Sequence, residues 1–236
     1  MTAGFALQVC GWLAGVPLEF LLVAALLRGG YRRFPFVFAY ASASLVTTLV
    51  GIPANVDYVL HRSDPQVSQH FAKIYWINEG ILQALILALV ISLIDRAASH
   101  VRSRRLLRAG LIVGAVLFAG ISFAVHYRPS LRYFGYWMTD WTRDLSFGSA
   151  ILDLGLWTLL ISSRRGDRRL LLISGALGMQ FTGEAIGEAL QSLSIAHKVG
   201  SLSLGGSFIT MLAGLACLYV CWRTFRPVSP QHNQTS

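Results

Sequence analysis

The sequence predicts an all-α fold: a polytopic membrane bundle of seven transmembrane helices, with the N-terminus outside and the C-terminus cytoplasmic. Three observations lead to this prediction. Seven apolar stretches are each long enough to cross a bilayer, which takes about 20 residues. Hydrophobic residues make up 54% of the chain and charged residues only 13%, against about a quarter charged in soluble domains. The basic residues also cluster in alternate connections between the stretches.

The seven stretches follow one another along nearly the whole chain. They are Phe5 to Leu27, Phe34 to Tyr58, Ile74 to Ile94, Leu106 to Val125, Leu145 to Ser163, Leu170 to Leu190 and Leu202 to Trp222. They form one predicted transmembrane domain over residues 1–225, and the polar residues 226–236 are predicted to be a short disordered cytoplasmic tail. The longest connections, around Asp57 to Lys73 and His126 to Thr142, are predicted to be extramembrane stretches on the outer face.

The distribution of basic residues predicts the orientation. Connections on one face carry Arg28, Arg32, Arg33, Arg96, Arg102, Arg104, Arg105, Arg108, Arg164, Arg165, Arg168, Arg169, Arg223 and Arg226. The other face keeps Arg62, Lys73, Arg128, Arg132, Arg143 and Lys198. Because cytoplasmic loops retain positive charge, the first face is predicted to be cytoplasmic.

This placement also explains the formal net charge of +9, which in a soluble chain would suggest a nucleic-acid partner. Nucleic acid is therefore not a predicted partner. The predicted partner is the lipid bilayer, and a cytoplasmic or membrane protein partner is compatible with the basic loops. The oligomeric state is left open.

Pairs of glycines one helical turn apart indicate where helices can approach closely. Such pairs are Gly11 and Gly15, Gly110 and Gly114, and Gly183 and Gly187. Packing within the bundle is the favoured interpretation, and a dimer interface is the alternative.

The residues that bear on function are acidic and lie within the predicted spans: Glu19, Glu79, Asp153, Glu184 and Glu188. A charged side chain near the bilayer centre costs about 2.5–3.5 kcal/mol on insertion scales, so these groups are expected to face the bundle interior. Glu79 and Gln83 form a polar stripe on the third helix. Gln180, Glu184, Glu188 and Gln191 form a second stripe on the sixth, since their spacing keeps them on one face.

These stripes predict a ligand- or ion-binding site made of Glu79, Gln83, Asp153, Glu184 and Glu188. If the third and sixth helices meet, the carboxyl groups would line an outward-facing polar pocket with Asp153 below the others. Crowded carboxylates do not all ionise, so protonation or cation binding is the expected chemistry. The alternative interpretation is that these groups only hydrogen-bond between helices.

The sequence lacks the motifs of several enzyme classes. The chain has no H-E-x-x-H zinc helix, no G-x-S-x-G elbow and no phosphate-binding glycine loop, and its histidines match no metal-ligand spacing. No catalytic residue, metal site or cofactor is therefore predicted.

Two function classes remain open at the level of the sequence. The first is a membrane sensor or accessory subunit that binds a small ligand or partner helix and acts through its basic loops on a separate output protein. The second is a small transporter or channel for a cation or polar solute. Transport needs polar groups at every depth of the membrane. Of the acidic residues, only Asp153 and Glu19 are predicted to lie further inward than the glutamates of the pocket, which favours the first class.

Two short aromatic motifs carry a resemblance to other proteins. Arg33-Phe34-Pro35 is followed by Tyr40, and Tyr75-Trp76 is followed by Glu79. With these motifs the chain resembles uncharacterised bacterial seven-helix inner-membrane proteins of similar length. The resemblance implies the same architecture and a location in the bacterial cytoplasmic membrane, and it brings no activity with it.

Overall fold

The computed structural model describes residues 3–60, 65–98, 104–127, 134–162, 167–197 and 200–226, which are almost entirely helical. Within these ranges, seven helices are long and apolar enough to cross a membrane. They are α1 Ala3–Ala25, α2 Pro35–Leu60, α3 Pro65–Ala97, α4 Arg104–His126, α5 Phe134–Ser162, α6 Arg168–His197 and α7 Gly200–Phe225. Residues 227–236, predicted to be a disordered tail, lie outside the described residues.

Two helices begin well before the predicted spans. Helix α3 starts at Pro65 rather than Ile74, and α5 starts at Phe134 rather than Leu145. The segments 57–73 and 126–142, predicted to be extramembrane connections, are therefore helical over most of their described residues. Hydropathy marks the apolar part of a helix, whereas the helix itself continues through polar and aromatic turns because its backbone groups still pair. Pro65 also suits a first helical position, where its missing N–H costs nothing.

A break separates α1 from α2. A π-helical turn over Leu26–Gly30 and a single helical turn over Tyr31–Arg33 join the two helices. Gly29 has φ 128° and ψ −10°, a backbone conformation that side chains other than that of glycine rarely adopt. Gly29 therefore allows the chain to reverse direction within a few residues.

Helix packing is densest between α6 and α7, followed by α3 with α5, α2 with α3, and α1 with α7. The main cluster of buried apolar side chains includes Leu26, Val90, Leu156, Ile173 and Cys221. In the described chain, α4 adds no fully buried side chain to this cluster and is exposed along nearly all of its length. It is held against α5 by side-chain contacts at their adjoining ends.

One end of the bundle gathers the basic connections, and we call it the basic end. Arg33 forms an ion pair of 2.8 Å with Asp167, which joins the start of α2 to the start of α6. The Arg96 guanidinium at the end of α3 lies 4.7 Å from the Phe34 ring centroid, and Phe225 at the end of α7 lies 5.4 Å from the same ring. These contacts bring connections of the predicted basic face to one end of the bundle.

The opposite end, which we call the aromatic end, is joined by ring contacts. Tyr58 at the end of α2 stacks on Phe71 of α3 at a centroid distance of 4.8 Å. Phe123 of α4 contacts Trp137 of α5 edge to face at 5.3 Å. Trp137 is buried, so its ring is part of the contact between α4 and α5.

Two of the predicted glycine pairs pack within the bundle. A Cβ atom added to Gly183 or Gly187 of α6 would overlap side-chain atoms of α7, and at Gly187 the overlapped atom is Thr210 Oγ1. A Cβ added to Gly11 of α1 would lie 3.1 Å from the Met211 sulfur of α7. Intramolecular packing is therefore confirmed for these two pairs, and α7 is the common partner.

The third pair behaves differently. A Cβ added to Gly110 or Gly114 of α4 would meet no described atom within 4 Å beyond its own helix. The expectation of close intramolecular packing is wrong for this pair, because α4 lies at the periphery and these glycines face away from its neighbours.

Candidate functional site

The polar stripe of α3 is held together by a hydrogen bond along the helix. Gln83 Nε2 donates to Glu79 Oε1 at 3.0 Å, as the spacing of four residues allows. Gln83 is buried, with 6% of its surface exposed, and Glu79 is half-buried. The amide thus fixes the direction of the carboxyl group.

The stripe of α6 repeats this arrangement. Gln180 Nε2 donates to Glu184 Oε1 at 2.9 Å, and it also lies 3.3 Å from the hydroxyl oxygen of Tyr40 on α2. Glu184 is half-buried and Glu188 is exposed. One glutamine on each stripe therefore orients one glutamate.

The two stripes face each other. The carboxyl groups of Glu79 and Glu188 are within electrostatic range of Glu184, and the Tyr75 hydroxyl is within range of all three. We call Tyr75, Glu79, Gln83, Gln180, Glu184 and Glu188 the acidic cluster. Four of the five residues predicted to form the site, all except Asp153, therefore come together on α3 and α6.

The groups around Glu184 leave its charge without a counter-charge. Among the described residues, those that interact with its carboxyl group are Gln180, Ser146, Glu79 and Glu188, and none of these is basic. Like charges repel, and the repulsion is stronger where water is partly excluded, as at the half-buried Glu184. A positively charged group is therefore a favourable complement of the cluster.

A buried oxygen atom in the cluster has no hydrogen-bond partner among the described residues. Gln83 Oε1 makes no hydrogen bond with any described residue, although buried polar atoms are nearly always paired. Leaving such an atom unpaired costs about 1–3 kcal/mol. A donor group of a ligand, placed beside Glu79, would satisfy it.

Asp153 lies apart from the acidic cluster. This residue of α5 is 2% exposed, and the Ser174 hydroxyl of α6 donates to its Oδ1 at 2.6 Å. Ser174 precedes Glu184 by about 15 Å along the helix axis. Asp153 lines a cavity of about 710 Å³ between α5 and α6, and the glutamates of the acidic cluster are not among its lining residues. The structure thus gives Asp153 its own hydrogen-bond partner and cavity rather than a place in the acidic cluster.

Glu19 forms a third acidic position. It is 5% exposed, and its Oε1 accepts hydrogen bonds from Ser44 at 2.6 Å and Thr48 at 3.3 Å, both on α2. Its Oε2 is buried without a partner among the described residues. The expectation that these acids avoid the bundle surface therefore holds for Glu19 and Asp153, whereas Glu188 is exposed.

Three residues in or beside the cluster were not predicted as site residues. Tyr75 precedes Glu79 by four residues, so the helical spacing that identified Gln83 would also have found it. Tyr40 and Ser146 lie on α2 and α5, and nothing in the sequence pairs them with α6. Only the packing of four helices brings these hydroxyl groups to the glutamates.

Aromatic rings extend from the cluster toward the aromatic end. Phe71 lies 6.2 Å from Tyr75, and Tyr75 lies 4.9 Å from Trp76, measured between ring centroids. Ring faces attract cations, so the cluster combines carboxylates with aromatic surface.

Within the described ranges, no group of three or more His, Cys, Asp and Glu side chains has the geometry to hold a metal ion.

Comparison of the chain with known protein families, curated proteins and solved structures finds no match. The site must therefore be interpreted from its own chemistry. Seven long apolar helices and a cluster of carboxyl groups between two of them are compatible with a multi-pass membrane protein.

Proposed function

We propose that this protein is a multi-pass membrane sensor or accessory subunit that binds a small organic cation at the acidic cluster. The observation that carries the proposal is Gln83 Oε1, a buried acceptor without a partner in the described chain. It lies near Glu184, whose carboxyl group interacts with no basic residue among the described ones. An ammonium group supplies both the positive charge and the N–H donors that this arrangement requires.

The aromatic rings support an organic cation over an inorganic one. Tyr75 lies in range of all three glutamates and continues the row of rings through Phe71. Protein sites for alkylammonium groups commonly combine aromatic faces with carboxylates. A cation with an alkyl body would contact the rings while its charge faces the glutamates.

The position of the cluster suggests how occupancy would be transmitted. Helix α6 carries Gln180 and Glu184, runs from the cluster to the basic end, and forms its closest packing with α7. Gln180 also contacts Tyr40 of α2. A ligand that reorients Glu184 would therefore act on the contact between α2 and α6, and a protein partner at the basic end could detect the change.

The same proposal includes the location and orientation. The protein would lie in a bacterial cytoplasmic membrane with the basic end in the cytoplasm, because basic connections are retained on that side. A reporter fused to the C-terminus should then be active in the cytoplasm, and one inserted near Ser130 should be active in the periplasm. The opposite result at either site would reverse the orientation.

Binding can be tested with the purified full chain in neutral detergent. Spermidine and ethanolamine serve as probes with N–H donors, tetramethylammonium serves as an organic cation without them, and sodium chloride of equal ionic strength serves as the reference. We expect saturable binding of at least one probe, seen as a concentration-dependent rise in Tm. Glu184→Gln and Glu79→Gln should each weaken that binding at least about tenfold, equivalent to about 1.4 kcal/mol.

The matched control is Asp144→Asn, which alters an acid of α5 that accepts a hydrogen bond from Ser122 rather than facing the cluster. This variant should leave probe affinity unchanged even if its Tm falls. The proposal is wrong if no probe binds saturably. It is equally wrong if Glu184→Gln and Glu79→Gln change Tm but not affinity, since the glutamates would then only connect helices.

A small transporter or channel for a cation or polar solute is the second candidate. Two observations favour it: Glu19 Oε2 is a second buried acceptor with no partner among the described residues, and a cavity lies beside Asp153. Both place polar groups at other depths of the bundle than the acidic cluster. The arginines of the basic end oppose it for a cation, because they would repel the ion at that end. Saturable probe uptake into proteoliposomes would establish transport, and binding without uptake would exclude it.

A further inference from the structure

A second site, independent of the acidic cluster, lies at the basic end. A cavity of about 940 Å³ opens there between the end of α1, the start of α6 and the end of α7. Its size is near the upper limit of ordinary ligand sites, about 300–1,000 Å³. Six arginines from three separate chain segments line it: Arg28, Arg33, Arg168, Arg169, Arg223 and Arg226.

Little in the described chain neutralises this charge. Asp167 is the only acidic residue among the described lining side chains, and both of its oxygens are occupied. Oδ2 pairs with Arg33 at 2.8 Å, and Oδ1 accepts the backbone N–H of Arg169 at 3.0 Å. Five of the six guanidinium groups thus have no carboxylate partner among the described residues.

Membrane orientation explains part of this pattern but not all of it. The preference for basic cytoplasmic loops places arginines at one end of a bundle, without requiring them to surround one cavity. Arg32 and Arg105 also lie in basic connections and are not among the lining residues. The six arginines that line the cavity converge there because of how α1, α6 and α7 pack.

The backbone of the cavity wall also favours an anion. Helix α6 begins at Arg168, so the positive end of its dipole lies at the cavity. Gly29 contributes a wall without a side chain, and a Cβ added there would meet nothing within 4 Å. A ligand can therefore approach the main chain closely at this point.

We propose that this cavity binds a phosphate-bearing anion. Guanidinium groups match the oxygen geometry of phosphate through paired N–H donors, and the six arginines provide several such pairs. The phosphate could belong to the headgroup of an anionic phospholipid or to a soluble phosphate compound. Apolar lining residues such as Leu172 and Val220 leave room for a hydrocarbon part of either ligand.

The test uses the purified full chain in neutral detergent with three probes. Phosphatidylglycerol in mixed micelles represents the lipid source, inorganic pyrophosphate represents the soluble source, and phosphatidylcholine is the reference without net charge. Binding is measured by titration and by native mass spectrometry. We expect the wild-type protein to bind phosphatidylglycerol or pyrophosphate in preference to phosphatidylcholine.

Arg169→Gln and Arg223→Gln should each weaken that binding about fivefold, as removal of one interfacial positive charge implies. Arg32→Gln is the matched control, because it removes the same charge from the same end but not from the cavity, and it should leave affinity unchanged. Arg223→Lys keeps the charge and loses the planar fork, so its affinity should fall between those of the wild type and Arg223→Gln.

The two sources give different results. Binding of phosphatidylglycerol that pyrophosphate does not displace identifies a lipid headgroup, and binding of pyrophosphate that competes with the lipid identifies a general phosphate site. Two results would overturn the proposal: equal binding of all three probes by the wild-type protein, or equal loss of affinity in Arg32→Gln and Arg223→Gln. The wild-type comparison needs no variant and therefore stands even if a substituted chain does not fold.

Discussion

Replacing Gly206 by alanine tests a close contact between the backbones of α6 and α7. Gly206 of α7 is buried against α6, and a Cβ added there would lie 2.6 Å from the carbonyl oxygen of Gly187. Ordinary contact begins at 3.4 Å, so the helices would have to separate by about 0.8 Å at this point. The opposing atom belongs to the backbone and cannot rotate away, which means that the strain must be spread along both helices.

Overpacking of this kind destabilises proteins by about 1–3 kcal/mol, partly offset by up to about 1 kcal/mol from the higher helix propensity of alanine. The neighbouring Gly205 provides the control, since a Cβ added there meets nothing within 4 Å. For a chain of this size, 1 kcal/mol corresponds to about 2–4 °C in Tm. Gly206→Ala should therefore lower Tm by several degrees, whereas Gly205→Ala should leave Tm unchanged or raise it.

The assay is thermal unfolding of both purified variants in the same detergent, followed by circular dichroism. If the two adjacent substitutions shift Tm equally, or if Gly206→Ala is the more stable protein, then α6 and α7 are not in close contact at this position. The packing argument for this helix pair would then be refuted.

Two further predictions concern other parts of the bundle. Gly29→Ala forces alanine into a conformation with φ 128° and should lower the free energy of unfolding by about 1–3 kcal/mol. Its control is Gly51→Ala, a helical site where nothing lies within 4 Å of the added Cβ. Equal Tm values for the two variants would contradict the predicted strain. Ser174→Ala removes the donor to the buried carboxyl group of Asp153 and should lower stability by about 1–3 kcal/mol. Combining it with Asp153→Asn should cost less than the sum of the single effects, and strict additivity would show that the pair is not coupled.

Much of the acidic cluster could be predicted from local spacing. Glu79 and Gln83 lie four residues apart, as do Gln180 and Glu184, and both pairs form the hydrogen bonds that a helix allows at this distance. These pairs depend only on helix geometry, so they follow from the sequence once the segment is known to be helical.

The depth and grouping of the acids were harder to predict. The predicted third span begins at Ile74, five residues before Glu79. Helix α3 instead begins at Pro65, about 21 Å before Glu79 along the axis. Asp153 was expected in one site with the glutamates, and it accepts a hydrogen bond from Ser174 instead. Hydropathy does not report where a helix ends when its last turns are polar, nor which hydroxyl group of a neighbouring helix faces a carboxyl group.

The sequence by itself determined the number of long apolar helices and the alternation of basic connections, because hydropathy and charge are properties of each segment taken alone. Only the tertiary structure decided that α4 is peripheral, that α6 packs on α7, and that arginines from three segments surround one cavity. Lipid chains are as apolar as leucine side chains, so an apolar helix face carries no label that distinguishes lipid from a neighbouring helix. Close packing and polar contacts between residues distant in sequence decide which helices meet, and those contacts exist only once the bundle has formed.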